Sequence, residues 1–538
     1  MSQARNVLRS TRRGAALSSR ETLRRLAPRS LGHAAVVSWL RWVASVAVML
    51  LVFPIMIARM GTQGFGLWAA LTAPTNMTAL FGLGVAPAVV SVLGRSLGSA
   101  RASTGDPEAA EHLHHAGSCA RAGLALSLAA AGISILVGFS IARPIVDLLK
   151  VPPAQVESAL WLFRASCLCL GGMLLGGGMV ALLEAYGRVD MSAAANGLVT
   201  VSNAVFLLVA VLVQPSFHSL AWVSAATAVS NVAAPFACLM GTGGSVLLRW
   251  GRLDLAAFRR LGGLALSLGF VGGIGAIVDP AVKWTVGALG GGAAVAAYEL
   301  ASRALSVLAG SFNSLLAPLM PYYARSLTEH GSAHVAQRVI SSSRLLATVA
   351  FPTIAVFAAA SNGLMQLWLG GNMPSGSVES LEILAIATIV SIGLRAAWGA
   401  LIAAGQGARL LFVQLVSVGC VPVVLALAAG HWLPLGVAAA TAYGSYALVG
   451  GGLTLVQYGR FFGKDVAYRL LRSAKHGVML AGLVIAPVLA ARFTGVSAAQ
   501  ETAVAGTAWV IVLIYLVCSE PQVRSIAKRA WHRFHKPT

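Results

Sequence analysis

The chain has 538 residues, 57% of them hydrophobic and only 10% charged, where soluble domains carry roughly one-quarter charged residues. That composition excludes an ordinary soluble enzyme and identifies a membrane protein. Lys and Arg total 39 against 17 Asp and Glu, an excess that would suggest nucleic acid in a soluble chain but here follows membrane topology.

Residues 1–35 form a basic tail with Ser, Arg and Leu but no sustained apolar face, suited to anionic lipid headgroups. Arg12-Arg13 faintly resembles a twin-arginine signal. The first apolar run, however, begins roughly twenty residues later and is long enough to cross a bilayer, so the tail is expected to stay on the protein. About fourteen runs approach the ~20-residue spanning length. They are 36–58, 65–92, 120–142, 159–183, 193–213 and 220–240, then 261–287, 293–318, 345–367, 381–404, 410–429 and 435–456, then the shorter 477–491 and 502–518. With the N-terminus inside, about thirty basic residues fall on the cytoplasmic side and about five outside, as the positive-inside rule requires. An even number of spans returns the basic tail 519–538 to the cytoplasm. The outer loops are short, the longest lying around Gly370 to Ser380, and leave no room for an external catalytic domain.

Several features carry no chemistry of their own. The six cysteines lie within or beside apolar runs. Cys167 and Cys169 point to different helix faces, which fits core thiols and neither a metal nor a disulfide. His112, His114 and His115 lack helical ligand spacing and fit a solvated face. The Asn76 sequon sits in an apolar run, and Gly290 to Gly292 lacks the Lys-Ser/Thr of a phosphate loop. No cofactor or metal is expected.

Arginine within the spans is the chemical signal. Arg41, Arg164, Arg303 and Arg395 each interrupt an apolar run, at roughly 2.5–3.5 kcal/mol apiece on insertion scales. Burying several of them requires a polar cavity, and such a cavity suits an anion. Lys283 is a fifth candidate. Glu299 precedes Arg303 by four residues and Asp279 precedes Lys283 by four, so internal ion pairs compete with anion binding there. Arg41 is close enough to the cytoplasmic interface to snorkel, whereas Arg164 and Arg395 have no carboxylate at helical spacing. Glu184, Asp279 and Glu299 are candidate coupling carboxylates, since burial can bring a carboxyl into the titrating range. Coupling to a proton or sodium gradient or to membrane potential stays open. Trp398, one turn from Arg395, could stack on a sugar ring.

The sequence also repeats weakly. Ala58-Arg-Met-Gly61 followed by Phe65-Gly-Leu-Trp68 parallels Gly287-Ala-Leu-Gly290 followed by Ala296-Ala-Tyr298, with the aromatic seven residues after the glycine in one copy and eight in the other. Six spans separate the copies, which predicts two halves of like orientation.

The stretch Ala58 to Trp68, with Leu80-Phe-Gly-Leu-Gly84, Leu182-Leu-Glu-Ala-Tyr-Gly-Arg188, Tyr298-Glu-Leu-Ala-Ser-Arg303, Ala317-Pro-Leu-Met-Pro-Tyr322 and Leu367-Trp-Leu-Gly370, resembles the polysaccharide transporter family. The resemblance covers roughly 36–456, with two further helices as in fourteen-helix members. It implies an all-α fold of two six-helix lobes, 36–241 and 261–456, joined by a linker at 242–260 and followed by helices 13–14 at 457–518, around a cavity open alternately to each side. The implied function is a flippase for undecaprenyl-pyrophosphate-linked oligosaccharide in the bacterial inner membrane, acting with polymerase and export machinery and catalysing no covalent step. A lipid II flippase is a close alternative. A cation-coupled multidrug exporter would want acidic cavity groups. A membrane-embedded glycosyltransferase, polymerase or ligase would want a larger, charged outer loop.

Overall fold

A computed structural model describes residues 31–78, 84–102, 107–241, 254–316, 319–431, 433–495 and 497–519, and among these every regular element is helical. The basic tail 1–30, most of the 242–260 segment and the last residues of the chain lie outside the described part. In chain order the helices are α1 Leu31–Leu71, α2 Val85–Ala102, α3 Pro107–Leu148, α4 Val156–Ala185, α5 Val189–Val213, α6 Phe217–Gly241, α7 Leu255–Ala276, α8 Val278–Leu316 and α9 Leu319–Ala359. There follow α10 Ser361–Leu369, α11 Ser377–Gly393, α12 Arg395–Ala403, α13 Gly407–His431, α14 Leu435–Phe462, α15 Lys464–Ser473, α16 Lys475–Phe493 and α17 Ala498–Ser519.

Ten described stretches are long and apolar enough to cross a membrane, as an all-α polytopic membrane protein requires. One of them, Met49–Met77, straddles the first two expected spans. Among the described residues, the expected spans 65–92 and 261–287 are helical but interrupted, by the 3-10 turn Ala73–Met77 and by the break at Ile277, and the expected span 293–318 begins just after the kink at Gly291. The expected span 435–456 lies within α14, whose Ala, Gly, Ser, Thr and Tyr content makes it less apolar. Exposed aliphatic side chains recur at helical spacing, for example Leu198, Val201, Val205 and Val209 on α5. Such a stripe belongs against lipid.

The chain divides into two compact units. The first holds Ala70–Trp284 and the helix before Gly61; the second holds Gly61–Ala69 and the chain from Thr285 onward. The division here falls at Trp284, within α8, and keeps α7 in the first unit. The reason is packing: Leu261 and Ala265 of α7 lie in one apolar core with Val89, Leu93, Leu113 and Leu182.

At the centre of the first unit is α4. A Cβ on its Gly172 or Gly176 would run into the α6 backbone at Ala228 or Asn231, and one on Gly171 or Gly178 into Ile135 or Ser127 of α3. Small residues four apart let backbones approach closely where lipid supplies no hydrophobic drive for helix association.

In the second unit the sequence repeat becomes geometry. Gly61 has φ 72°, ψ 168° and Gly291 has φ 72°, ψ −174°, a conformation essentially reserved for glycine. The matching residue is therefore Gly291 and not Gly290. With that register Trp68 and Tyr298 each stand seven residues beyond their glycine, and the unequal spacing of the two copies disappears. The two corners also meet. The Ala293 amide donates to Gln63 Oε1 at 3.0 Å, and a Cβ on Gly66 would collide with the Gly292 carbonyl. Since backbone cannot yield as a flexible side chain does, Gly66→Ala is expected to cost about 2–3 kcal/mol and lower the melting temperature in detergent. Gly132→Ala, whose Cβ meets nothing within 4 Å, should leave it in place.

Candidate functional site: a polar cluster in each unit

In the first unit, the chain leaves α1 at Thr72 and tightens into the turn Ala73–Met77, where Pro74 fits the opening position and Thr75 Oγ1 donates to the Thr72 carbonyl at 2.8 Å. The turn presents Asn76, whose Nδ2 donates to Asp279 Oδ2 at 2.8 Å. Lys283 Nζ lies 2.7 Å from the same oxygen, and the lysine side chain is only 1% exposed. One turn of α8 thus holds both charges. Trp284 closes the cluster, donating from Nε1 to the Ala70 carbonyl at 2.9 Å and lying 6.2 Å from the Phe163 ring.

An ammonium so deeply buried is tolerable only because the carboxylate neutralises it. Of the two sequence readings for Lys283, the internal pair is the one the structure realises. Lys283→Met should therefore destabilise the protein by about 3 kcal/mol, and adding Asp279→Leu should restore most of the loss, as read by thermal unfolding in detergent. A single variant as stable as the parent would contradict the pairing. A cavity of ≈ 170 Å³ nearby is lined mainly by apolar groups such as Val85, Ala130, Met173 and Leu174, with the hydroxyl residues Thr78 and Ser127. Its lining suits a hydrocarbon group better than a charged one.

In the second unit, Arg303 Nε meets Glu299 Oε1 at 2.6 Å, again across one helical turn. Here the burial is reversed: the carboxylate is 1% exposed and the arginine side chain 38%. Glu299 fixes the stem end of the guanidinium while the side chain still reaches the unit's surface. Next to Glu299, the buried Tyr298 makes an edge contact with Tyr443 at 6.1 Å, and Tyr443 lies 6.0 Å from Tyr446. Tyr446 Oη donates to Gln414 Oε1 at 2.9 Å.

Beyond this aromatic tract is Arg395, close enough for its charge to act on Tyr446. Arg395 opens α12 just after a helix break at Leu394 (φ −102°, ψ 1°). A cation in the first turn adds to the positive end of the helix dipole. Arg395 is exposed and makes no ion pair or side-chain hydrogen bond among the described residues. Trp398 is half-buried one turn later.

The other expected residues are placed differently. Arg164 is exposed, its guanidinium 5.9 Å from the Phe139 ring centroid, on a flank where α3 also shows Ile133 and Leu136. Lying in the first third of α4, it can extend its charge toward that end of the helix, as a snorkelling arginine does. Glu184 is exposed and accepts from Ser192 Oγ at 2.8 Å, so it lacks the burial that a coupling carboxylate was expected to have. Arg41 lies on α1, and its side chain falls outside the described residues.

Sequence reasoning set Asn76 aside as a sequon without chemistry and missed Gln414 and the Tyr443–Tyr446 pair; polar residues isolated in apolar runs were the available signal. It also missed a clasp that joins five helices. Arg492 Nε meets Glu501 Oε1 at 2.6 Å, its Nη1 lies 3.3 Å from Glu382 Oε1, and its Nη2 donates to the Ala359 carbonyl at 2.8 Å. Ser361 Oγ donates to the same Glu382 oxygen at 2.8 Å. The clasp ties α16 and α17 to α9, α10 and α11.

No protein-family profile and no curated protein sequence matches the chain. Solved structures do. One is the lipid II flippase MurJ in an inward closed conformation, at 10% identity and TM-score 0.61, with 90% of this chain and 98% of that one covered. Another is an inward-facing multidrug resistance MATE family transporter of the MOP superfamily, at 14% identity and TM-score 0.57, covering 83% and 98%. A third is a MOP superfamily transporter from Pyrococcus furiosus, described as having a binding pocket of reverse polarity, at 13% identity and TM-score 0.59, again covering 83% and 98%. Identities this low speak for fold and not for cargo. The chain is an all-α, multi-pass membrane protein with the fold of MOP-superfamily transporters.

Proposed function

We propose that the protein is a flippase that moves a polyprenyl-pyrophosphate-linked oligosaccharide across the bacterial inner membrane by alternating access, supplying a polysaccharide pathway. The observation that carries this reading is Arg395: exposed, without a carboxylate, in an otherwise apolar span, and beside the Tyr443–Tyr446 tract and Trp398. A guanidinium there can take a phosphate oxygen pair in a bidentate contact and keeps its proton when partly desolvated. Aromatic rings within a few turns offer faces for sugars. Arg303 is a secondary contact, preset by Glu299. Lys283 and Arg164 have no part in this cationic site, since one is neutralised by Asp279 and the other lies over Phe139. The fold supports transport by rocking of lobes, and no covalent step is required.

A lipid II flippase is the second reading, favoured by the extent of the match to MurJ, which takes in 90% of this chain. The two cargoes share the polyprenyl pyrophosphate and differ in the glycan. Deleting the gene separates them from each other and from drug export. Accumulation of undecaprenyl-linked repeat units on the cytoplasmic face with intact cell-wall precursor supply supports the first reading. Arrested wall synthesis supports the second, and drug hypersensitivity with normal lipid-linked pools overturns both. Coupling through Asp279 or Glu299 to a proton or sodium gradient remains part of the proposal, with the buried Glu299 the better placed of the two.

A further inference from the structure

Helix α15 differs from the spans around it. It begins after Gly463 (φ 108°) and meets α16 through Ala474, and its sequence Lys-Asp-Val-Ala-Tyr-Arg-Leu-Leu-Arg-Ser is amphipathic. At 100° per residue, Lys464, Tyr468 and Leu471 fall on one stripe of α15, and Lys475, the first residue of α16, follows it in the chain. All four are exposed, Tyr468 at 66% and Leu471 at 52%. Arg472 is exposed beside that stripe, Arg469 is exposed further round toward the side that faces α14, and Asp465 is the single acid between 464 and 475. The opposite side is anchored: Leu470 is buried, Ala467 lies against Gly459 of α14, and the Arg469 charge reaches the buried Tyr458 of the same helix.

One side of α15 is therefore fixed to protein, while the other displays two apolar side chains bracketed by cations. Bulk water does not suit exposed Tyr and Leu, and hydrocarbon does not suit four basic groups. The headgroup boundary of a leaflet accepts both, and a negatively charged leaflet complements the charge. The basic-residue asymmetry puts this segment at the cytoplasmic leaflet.

We propose that α15 is an interfacial helix that binds anionic phospholipid of the cytoplasmic leaflet, with Tyr468 and Leu471 at the acyl boundary and Lys464, Arg469, Arg472 and Lys475 against headgroup phosphates. The binding is independent of the transported cargo. It gathers anionic lipid where α14 hands the chain to α16.

The test uses the full chain in nanodiscs of phosphatidylcholine alone or mixed with phosphatidylglycerol, reading hydrogen exchange across 464–475 and retained phosphatidylglycerol by native mass spectrometry. Exchange should slow in the mixed discs, and raised salt should weaken the protection by screening. Replacing Lys464, Arg469, Arg472 and Lys475 by Gln should abolish the difference, at about a fivefold loss of phosphatidylglycerol binding per charge removed. If that variant aggregates, the milder pair Lys464→Gln and Lys475→Gln should show a partial loss, since both residues are exposed. Equal exchange in the two lipids, or undiminished phosphatidylglycerol retention by either variant, would overturn the proposal. Protection by inorganic phosphate in phosphatidylcholine discs would also overturn it, by assigning the site to a soluble anion.

Discussion

Arg395→Ala is expected to lower translocation of a polyprenyl-pyrophosphate glycan by roughly 10- to 100-fold, with normal protein levels and unchanged thermal stability. The range follows from about 1.5–3 kcal/mol for hydrogen bonds to a charged partner. Stability should be unaffected because Arg395 is exposed and has no ion pair among the described residues. Arg395→Lys should recover part of the rate, since an ammonium keeps the charge but lacks the planar fork. Arg164→Ala is the informative contrast. Its partner is the Phe139 ring, a contact worth about 0.5–1 kcal/mol at an exposed position, and its transport rate should stay within about twofold of the parent. A large loss for Arg164 with none for Arg395 would place the cationic contact elsewhere.

The second large effect is on stability. Arg492→Ala removes the hub of the clasp and leaves Glu501, 4% exposed, as a buried carboxylate without its cation. Breaking a buried pair this way costs about 3–5 kcal/mol. Because the Arg492 side chain is one-third exposed, solvent screening brings the expected loss down to about 2–3 kcal/mol. Unfolding in detergent should show a clear drop in melting temperature, with protease cutting first around residues 494–497. Arg492→Lys should restore the Glu501 pair only, since one ammonium cannot also reach the Ala359 carbonyl and Glu382. A melting temperature unchanged by Arg492→Ala would remove the clasp from the account.

How much of this was legible in the sequence depends on the distance over which each feature is encoded. Helix content, the spanning runs and the repeat rest on local composition and period; the helices and the glycine corners reappear in the structure, with ten described stretches long and apolar enough to span where about fourteen were expected. The repeat even sharpened: only backbone angles could show that Gly291 and not Gly290 matches Gly61. The pairs Asp279–Lys283 and Glu299–Arg303 were readable because they sit one helical turn apart.

What could not be read joins residues far apart in the chain. Asn76 meets Asp279 across 203 positions and Arg492 meets Glu382 across 110. No periodicity encodes such contacts. Arg164 and Arg395 looked equivalent in sequence, each a lone cation in an oily run. Their neighbours separate them: Arg164 has Phe139 on an aliphatic flank, whereas Arg395 has a phenol and an amide behind it. The place of α7 in the first unit was hidden for a similar reason, because Leu261 and Ala265 are apolar residues that would suit either core.

The most direct test is transbilayer movement in proteoliposomes holding the purified protein and a polyprenyl-pyrophosphate oligosaccharide, with glycan accessibility to an external lectin or glycosidase as the readout. The account predicts protein-dependent translocation that a free diphosphate competitor slows and that Arg395→Ala nearly abolishes. Contradiction would be a cargo that stays in its starting leaflet while the same vesicles transport cationic drugs, or translocation that proceeds at the parental rate without Arg395.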